Sequence, residues 1–346
     1  MAGQLQIAWW HWVAFIACVI GFLVLDLGVF HRRAHKVKYR EALLWTVVWF
    51  SVAMLFAIGL NFTRGKAEAL QFVTGYLIEL SLSMDNVFVI AIIFAYFRIP
   101  SEFQHRVLFW GILGALIMRG MMIGAGVALI NLFDWILYVF GLLLLYSGIK
   151  MFFVETEVHP EKNRVLRLVR KFYPVAPQLD GQKFFTTWNN RRALTPLAVV
   201  LLMVETTDLI FAVDSIPAIF AVTKAPFIVF TSNVFAILGL RSLYFVLAGA
   251  MGFFRYLKYG LAVVLVFIGV KMLIDPHDSP PQWFQYDIST SDSLIVVAII
   301  ILFSIIASVI SGRRERKRQQ KEREGKAANG KEKEREQMGA NEDDPK

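Results

Sequence analysis

Runs of about twenty apolar residues recur along most of this chain. Nothing constrains a fold more than the need to satisfy every backbone amide inside hydrocarbon. Windows of that length give about nine candidate spans, at approximately 9–30, 42–60, 70–97, 106–130, 132–153, 194–222, 226–251, 257–275 and 292–312. Of the 346 residues, 57% are hydrophobic and only 18% are charged, whereas globular domains run near a quarter charged. The pattern predicts an all-α membrane protein of about nine transmembrane helices with a lipid bilayer as its first partner. The third and sixth runs are long for a bilayer, which predicts tilt or interruption. No basic segment precedes the first run, so it reads as a retained helix and not a cleaved signal.

The formal charge of +9 could point to nucleic acid, but its distribution excludes that reading. Residues 313–346 hold 12 of the 36 Lys and Arg, mixed with 9 of the 27 Asp and Glu. Most of the other bases cluster in loops: five between His31 and Arg40, eight from Lys162 to Arg192, then Arg98 with Arg106 and Arg255 with Lys258. Threading nine helices puts all of these on one side, which the positive-inside rule makes the cytoplasm, with the N-terminus outside and the C-terminus inside. The resulting segments are a two-helix hairpin (1–68), a three-helix unit (69–153), a basic loop (154–193), a second three-helix unit (194–275), an outer loop with a ninth helix (276–312), and a charged tail (313–346). The tail has almost no apolar residue and is predicted to stay unpacked.

The chain also repeats itself. Gly148-Ile-Lys150-Met151 matches Gly269-Val-Lys271-Met272, and Phe133-Asp134 matches Phe254-Arg255, both at an offset of 121. Arg119 and Arg241 are 122 apart, Glu79 and Glu205 are 126 apart, and Asp85-Asn86 and Asp214-Ser215 are 129 apart. Helices 3–5 thus read as a duplicate of helices 6–8. Three is odd, so the second copy must enter from the opposite side, as in the inverted repeats of secondary transporters.

Two acidic stretches lie inside apolar runs: Glu79-Leu-Ser-Leu-Ser-Met-Asp85-Asn86 and Glu205-Thr-Thr-Asp208 continuing to Asp214-Ser215-Ile-Pro217. Each charge at mid-membrane costs roughly 2.5–3.5 kcal/mol on the mildest scale, so five carboxylates cost roughly 12–18 kcal/mol before relief. Helical spacing puts Glu79, Ser83 and Asn86 on one face, and Glu205, Asp208 and Ser215 on another. Asp85 and Asp214 fall off those faces. Pro217 removes a backbone donor, which predicts a helix break that turns Asp214 towards the shared face. Gly75 and the serines of the third run point more weakly to a similar distortion. The acids could simply pair with Arg119 and Arg241 for packing, but five acids exceed two arginines, and a cation or protons must supply the difference. Without His or Cys among them, Glu79, Asp85, Asn86, Glu205, Asp208, Asp214 and Ser215 form an all-oxygen set suited to manganese, magnesium or calcium.

Other residues read more plainly. His11 and Cys18 pack or face the interface, and Asp26 is an interfacial acid. Trp9, Trp10 and Trp12 form an aromatic belt. Gly111, Gly114, Gly120, Gly124 and Gly126 let the fourth helix pack closely. A lone cysteine excludes an intrachain disulfide or a CxxC redox pair.

The two motifs, Glu79 to Asn86 and Glu205 to Thr223, with Thr231-Ser-Asn-Val-Phe-Ala-Ile-Leu-Gly-Leu-Arg241, resemble the TerC/Alx family of bacterial integral membrane proteins over about residues 10–310. The resemblance implies a multi-pass protein of the bacterial cytoplasmic membrane, and manganese as a transported ion with no tightly bound cofactor. Many relatives carry Lys after the first motif's Glu, where this chain has Leu80. The expected function is export of divalent cations, manganese first, in exchange for protons, and no enzymatic activity. The alternative is a stress-response membrane protein (tellurite or alkaline pH) or a redox-modulating one, without transport. An intramembrane aspartyl protease is disfavoured, because neither Asp85 nor Asp214 lies in a Y-D or G-x-G-D context.

Overall fold

The computed structural model describes residues 7–25, 39–133, 135–153, 167, 169, 171–248, 257–275, 285–286 and 288–312. Asp26, the basic loop up to Lys38, Asp134, Arg255, Asp278, Asp287 and the charged tail lie outside the described residues. The helices are α1 (Trp9–Leu25), α2 (Tyr39–Arg64), α3 (Lys66–Tyr96), α4 (Ser101–Leu132), α5 (Ile136–Phe153), α6 (Pro196–Phe220), α7 (Pro226–Ala248), α8 (Leu257–Ile274) and α9 (Thr290–Gly312). Eight of them are long and apolar enough to cross a bilayer, while α1 has 17 residues. The protein is an all-α membrane protein, as the hydropathy pattern requires.

Local chemistry sets the element ends. A single residue, Gly65, joins α2 to α3, and its φ of 95° is open to glycine at little cost. The Arg64 guanidinium reaches Glu68 across this corner. Thr195 caps α6: its hydroxyl accepts from the Ala198 amide at 3.4 Å, and Pro196 fills the first helical position, where no donor is needed. At 31 and 32 residues, α3 and α4 are about 46–48 Å long, more than a hydrocarbon core of about 30 Å requires.

The predicted break at Pro217 does not occur. Helix α6 runs unbroken through it to Phe220. The proline sits in the last turn, so its missing donor removes little of the ladder, and its own carbonyl still accepts from the Ala221 amide at 3.1 Å. Helix α3 is likewise continuous through Gly75 and the serines. Gly75 serves packing instead: a Cβ there would come within 2.9 Å of the Ser232 hydroxyl on α7.

Close approach between helices organises the bundle. Helix α3 lies parallel to α7, with Gln71 meeting Thr223 just ahead of α7, Glu79 meeting Asn233 and Phe94 meeting Tyr244. Helix α4 lies parallel to α6, where Gly111 faces Val204 and Gly126 faces Phe220. The pair α5 and α8 is antiparallel. A Cβ on Gly148 would meet the Ala262 carbonyl and the Val266 amide, both at 2.9 Å. A Cβ on Gly269 would meet the Gly141 carbonyl at 2.9 Å and the Leu145 amide at 2.8 Å. Backbone therefore touches backbone along this seam.

The stretch expected as a loop contains structure. Residues Phe185–Trp188 (β1) and Arg191–Leu194 (β2) form an antiparallel hairpin. Asn189 and Asn190 make its two-residue turn at φ 49° and 62°, the left-handed pair that twisted hairpins favour and Asn tolerates. Val175, Leu179 and Phe184 pack this region under the apolar cluster at the ends of α3, α4, α6 and α7. The Arg106 guanidinium lies 5.3 Å above the Phe184 ring. On the surface, the Thr186 hydroxyl and the Lys183 ammonium hold the Asp180 carboxyl below its usual range.

The glycine seam makes a direct prediction. Gly148→Ala and Gly269→Ala should each cost about 1–3 kcal/mol, because a rigid backbone cannot yield to the new methyl. Gly124→Ala, where a Cβ meets nothing within 4 Å, should be neutral or stabilising. Thermal unfolding of the purified variants in detergent checks the contrast.

Candidate ion site

Between two apolar clusters lies a polar layer centred on one guanidinium. Arg119 on α4 is only 1% exposed. Its Nη1 donates to Glu79 Oε1 on α3 and, at 3.2 Å, to the Ser215 hydroxyl on α6. Its Nη2 and Nε donate to the two carboxylate oxygens of Asp208 on α6, at 2.8 and 3.1 Å. This fork on a carboxylate is the geometry that arginine provides and lysine does not. One side chain on α4 thereby ties α3 to α6.

A second ring of amides and hydroxyls completes the layer. Asn86 Nδ2 donates to Asp208 Oδ1 at 3.1 Å, Asn233 Nδ2 on α7 donates to Glu79 Oε2 at 3.0 Å, and the Ser83 hydroxyl donates to Glu79 Oε1 at 3.4 Å. Each amide thus donates to a carboxylate. The carbonyl oxygens, Asn86 Oδ1 and Asn233 Oδ1, are buried and have no hydrogen-bond partner. Buried acceptors left open are uncommon and call for an explanation. A cleft beside the cluster is lined by Asn86, Thr207, Asp208, Gly111, Ala115 and Ile237, among others.

Of the residues singled out from sequence, Glu79, Asn86, Asp208, Ser215 and Arg119 thus come together. The others stand apart. Asp214 Oδ1 accepts from the Ser147 hydroxyl of α5 at 2.7 Å, with Lys150 within electrostatic reach. Because α6 stays helical at Pro217, Asp214 keeps the off-face direction of a regular helix. Asp85 is half-buried, with Lys258 of α8 within electrostatic reach. Glu205 lies one turn before Asp208, and its carboxylate occupies the space that a Cβ on Gly114 would take. Arg241 remains half-buried on α7, and the ion pairs that join Glu79 to Asp208 are Arg119's. Among the described residues, no three His, Cys, Asp or Glu side chains are grouped to hold a metal ion. The guanidinium occupies the centre instead.

Sequence reasoning missed Asn233. The signal was the polar triplet Thr231-Ser232-Asn233 within an apolar run. Thr231 and Ser232 donate to carbonyls of their own helix, at 2.7 Å to Phe227 and 3.1 Å to Val229, which leaves Asn233 alone to face the acid. Ser147 carried no signal, since a single serine in a membrane helix is ordinary.

Comparison with known proteins places the chain in a lineage. The profile of the integral membrane protein TerC family matches residues 64–318. An uncharacterized membrane protein of Myxococcus xanthus is 53% identical over 304 residues, covering 87% of this chain and 92% of that protein. A protein of Escherichia coli (strain K12), named "Putative membrane-bound redox modulator Alx", is 45% identical over 316 residues, covering 88% and 96% of the two chains. An uncharacterized membrane protein of Rickettsia bellii is 42% identical, covering 86% and 97%. No solved structure matches.

Arg119→Met leaves buried Glu79 and half-buried Asp208 without their counter-charge and should destabilise the protein by about 3–5 kcal/mol. Adding Glu79→Gln and Asp208→Asn to that variant removes the stranded charges and should restore most of the loss. Unfolding midpoints of the single and triple variants, measured side by side, decide this.

Proposed function

The chain belongs to the TerC family of integral membrane proteins, and we propose that it is a secondary transporter exporting divalent cations, most of all manganese, in exchange for protons. One observation carries the reading: a buried carboxylate, Glu79, and a half-buried one, Asp208, converge from separate helices beside two buried amide oxygens that have no partner. A purely structural ion pair has no use for open acceptors. A hard divalent cation does, because it prefers carboxylate, carbonyl and hydroxyl oxygens at short range. Glu79, Asp208, Asn86 and Asn233 are the first ligands to offer. Asp85 and Asp214, each placed near a lysine, are the acids left to carry protons.

The packing supports the alternating-access architecture that such a carrier requires. Gly148 touches Ala262 and Val266 while Gly269 touches Gly141 and Leu145, and each contact maps onto the other at the sequence offset of 121. A repeat inserted in opposite senses gives this exchange, along with the antiparallel α5 and α8. The basic loops favour a C-terminus in the cytoplasm of a bacterial inner membrane. The chain acts as a carrier and not as a catalyst.

The competing reading, redox modulation, follows the printed name of the Alx relatives. This chain holds a single cysteine, Cys18, exposed on α1 away from the polar layer. A thiol-based exchange within one chain needs two.

Proteoliposomes loaded with an indicator for Mn²⁺ test the proposal. The unaltered protein should move Mn²⁺ under an opposing proton gradient. Asp208→Asn should reduce the rate at least tenfold, and Asp214→Asn should uncouple or abolish it, with both variants still folded. Equal movement by all three proteins, or by none, ends the transport reading.

A further inference from the structure

Glu205 is the one acid of the two motifs to which the proposed site gives no role. Among the described residues it has no hydrogen bond or ion pair, yet it lies half-buried with Asp208 within electrostatic reach. Its carboxylate rests against the α4 backbone at Gly114, in space that any side chain at that position would fill. Gly114 precedes Arg119 by five residues, about 7.5 Å along the helix axis. Glu205 and Asp208 are three residues apart on α6 and so are neighbours on its surface, which makes Glu205 the carboxylate next to the one that Arg119 now holds.

The charges around the guanidinium fit this placement. With Glu205 ionised, Glu79, Asp208 and Glu205 exceed Arg119 by two negative charges, which one divalent cation neutralises. The cation cannot simply join the arginine between Glu79 and Asp208, since two positive groups would then share one carboxylate pair. Arginine cannot leave by losing its proton. It has to move, and it needs a carboxylate to move to.

We propose that Arg119 is a resident counter-cation which the transported divalent ion displaces from Glu79 and Asp208, and that Glu205 receives it. The inference rests on the transport reading and assigns Glu205 a positioning role, not that of a metal ligand. It also explains selection by charge. A monovalent ion gains too little from the vacated carboxylates to expel a guanidinium held by three hydrogen bonds to them. With the arginine moved, Glu79 and Asp208 bind the ion while Arg119 and Glu205 form a neutral pair beside it. The glycine at 114 gives the receiving carboxylate its place.

The test is a titration of the full-length purified chain with Mn²⁺, reading free Mn²⁺ by electron paramagnetic resonance. Arg119→Gln should raise the affinity about tenfold, because the competitor is gone. The same protein should melt lower than the unaltered one without metal, and gain more from Mn²⁺, since the ion then satisfies the stranded acids. Arg119→Lys, which keeps the charge but loses the fork, should raise affinity by a smaller factor and serves where the Gln variant is too unstable to purify. Glu205→Gln and Gly114→Ala should each weaken binding about tenfold in the unaltered background. In the Arg119→Gln background, Glu205→Gln should change it less than twofold. An equal loss in both backgrounds makes Glu205 a direct ligand and overturns the inference alone. So does an Arg119→Gln or Arg119→Lys protein whose affinity is unchanged or weaker. Absence of Mn²⁺ binding by the unaltered chain overturns the transport reading and this inference with it.

Discussion

A guanidinium held between two carboxylates in a nearly water-free layer is the interaction on which this bundle depends. None of its three charges is tolerable there alone, since a single ionised group at mid-membrane costs several kcal/mol. Together they form a unit with net charge of minus one, spread over four hydrogen bonds to Arg119 and three more from Asn86, Asn233 and Ser83. The members come from α3, α4, α6 and α7, so no two neighbouring helices in sequence can form it by themselves. The polar layer therefore specifies the arrangement of four helices at once, while the apolar clusters on either side only require that some arrangement exist.

That specification works because the helices can come close. In lipid, hydrophobic burial gives little preference for helix over solvent, and association relies on tight packing and polar contacts. Gly75, Gly111, Gly114 and Gly126 let α3 approach α7, and α4 approach α6, near enough for short side chains to meet. The α5 and α8 seam is tighter still, with backbone atoms as the facing surface. The glycines thus fix distances and the charges fix register.

Much of this was legible in the chain before any coordinates. Hydropathy alone places the long helices, because length and apolarity are local properties that survive tertiary context. Glu79, Asn86 and Asp208 are found as a set because helical spacing puts them on faces, and a face in a membrane bundle has to look at something. Four things escaped for physical reasons. Pro217 reads as a break, but its effect depends on how much helix follows, and only one turn does. Asp85 and Asp214 look like members of the site by motif, yet a regular helix directs them towards α8 and α5. The hairpin of β1 and β2 hides in a basic stretch whose charge drowns its Phe-Phe-Thr-Thr-Trp strand and its Asn-Asn turn. Asn233 is the remaining case: its partner Glu79 is 154 residues away, and no local pattern reports a contact of that separation.

The arrangement also dictates where motion can and cannot occur. In the α5 and α8 seam backbone meets backbone at Gly148 and Gly269, with Leu144, Val266 and Leu273 packed beside them, so these two helices move as one body. Helices α3 with α7, and α4 with α6, run parallel in pairs whose mutual contacts are glycine-lined and largely apolar. Between the pairs, the strongest directional bond is that of Arg119 to Glu79. Arg119 and Asp208 both belong to the α4 and α6 pair, and Glu79 and Asn233 both belong to the α3 and α7 pair. A displacement of one pair against the other preserves the bonds within each and strains those across, above all the ion pair of Arg119 with Glu79, and with it the hydrogen bond from Asn86 to Asp208. The contact that holds the bundle in this state is thus also the contact that has to yield for it to leave.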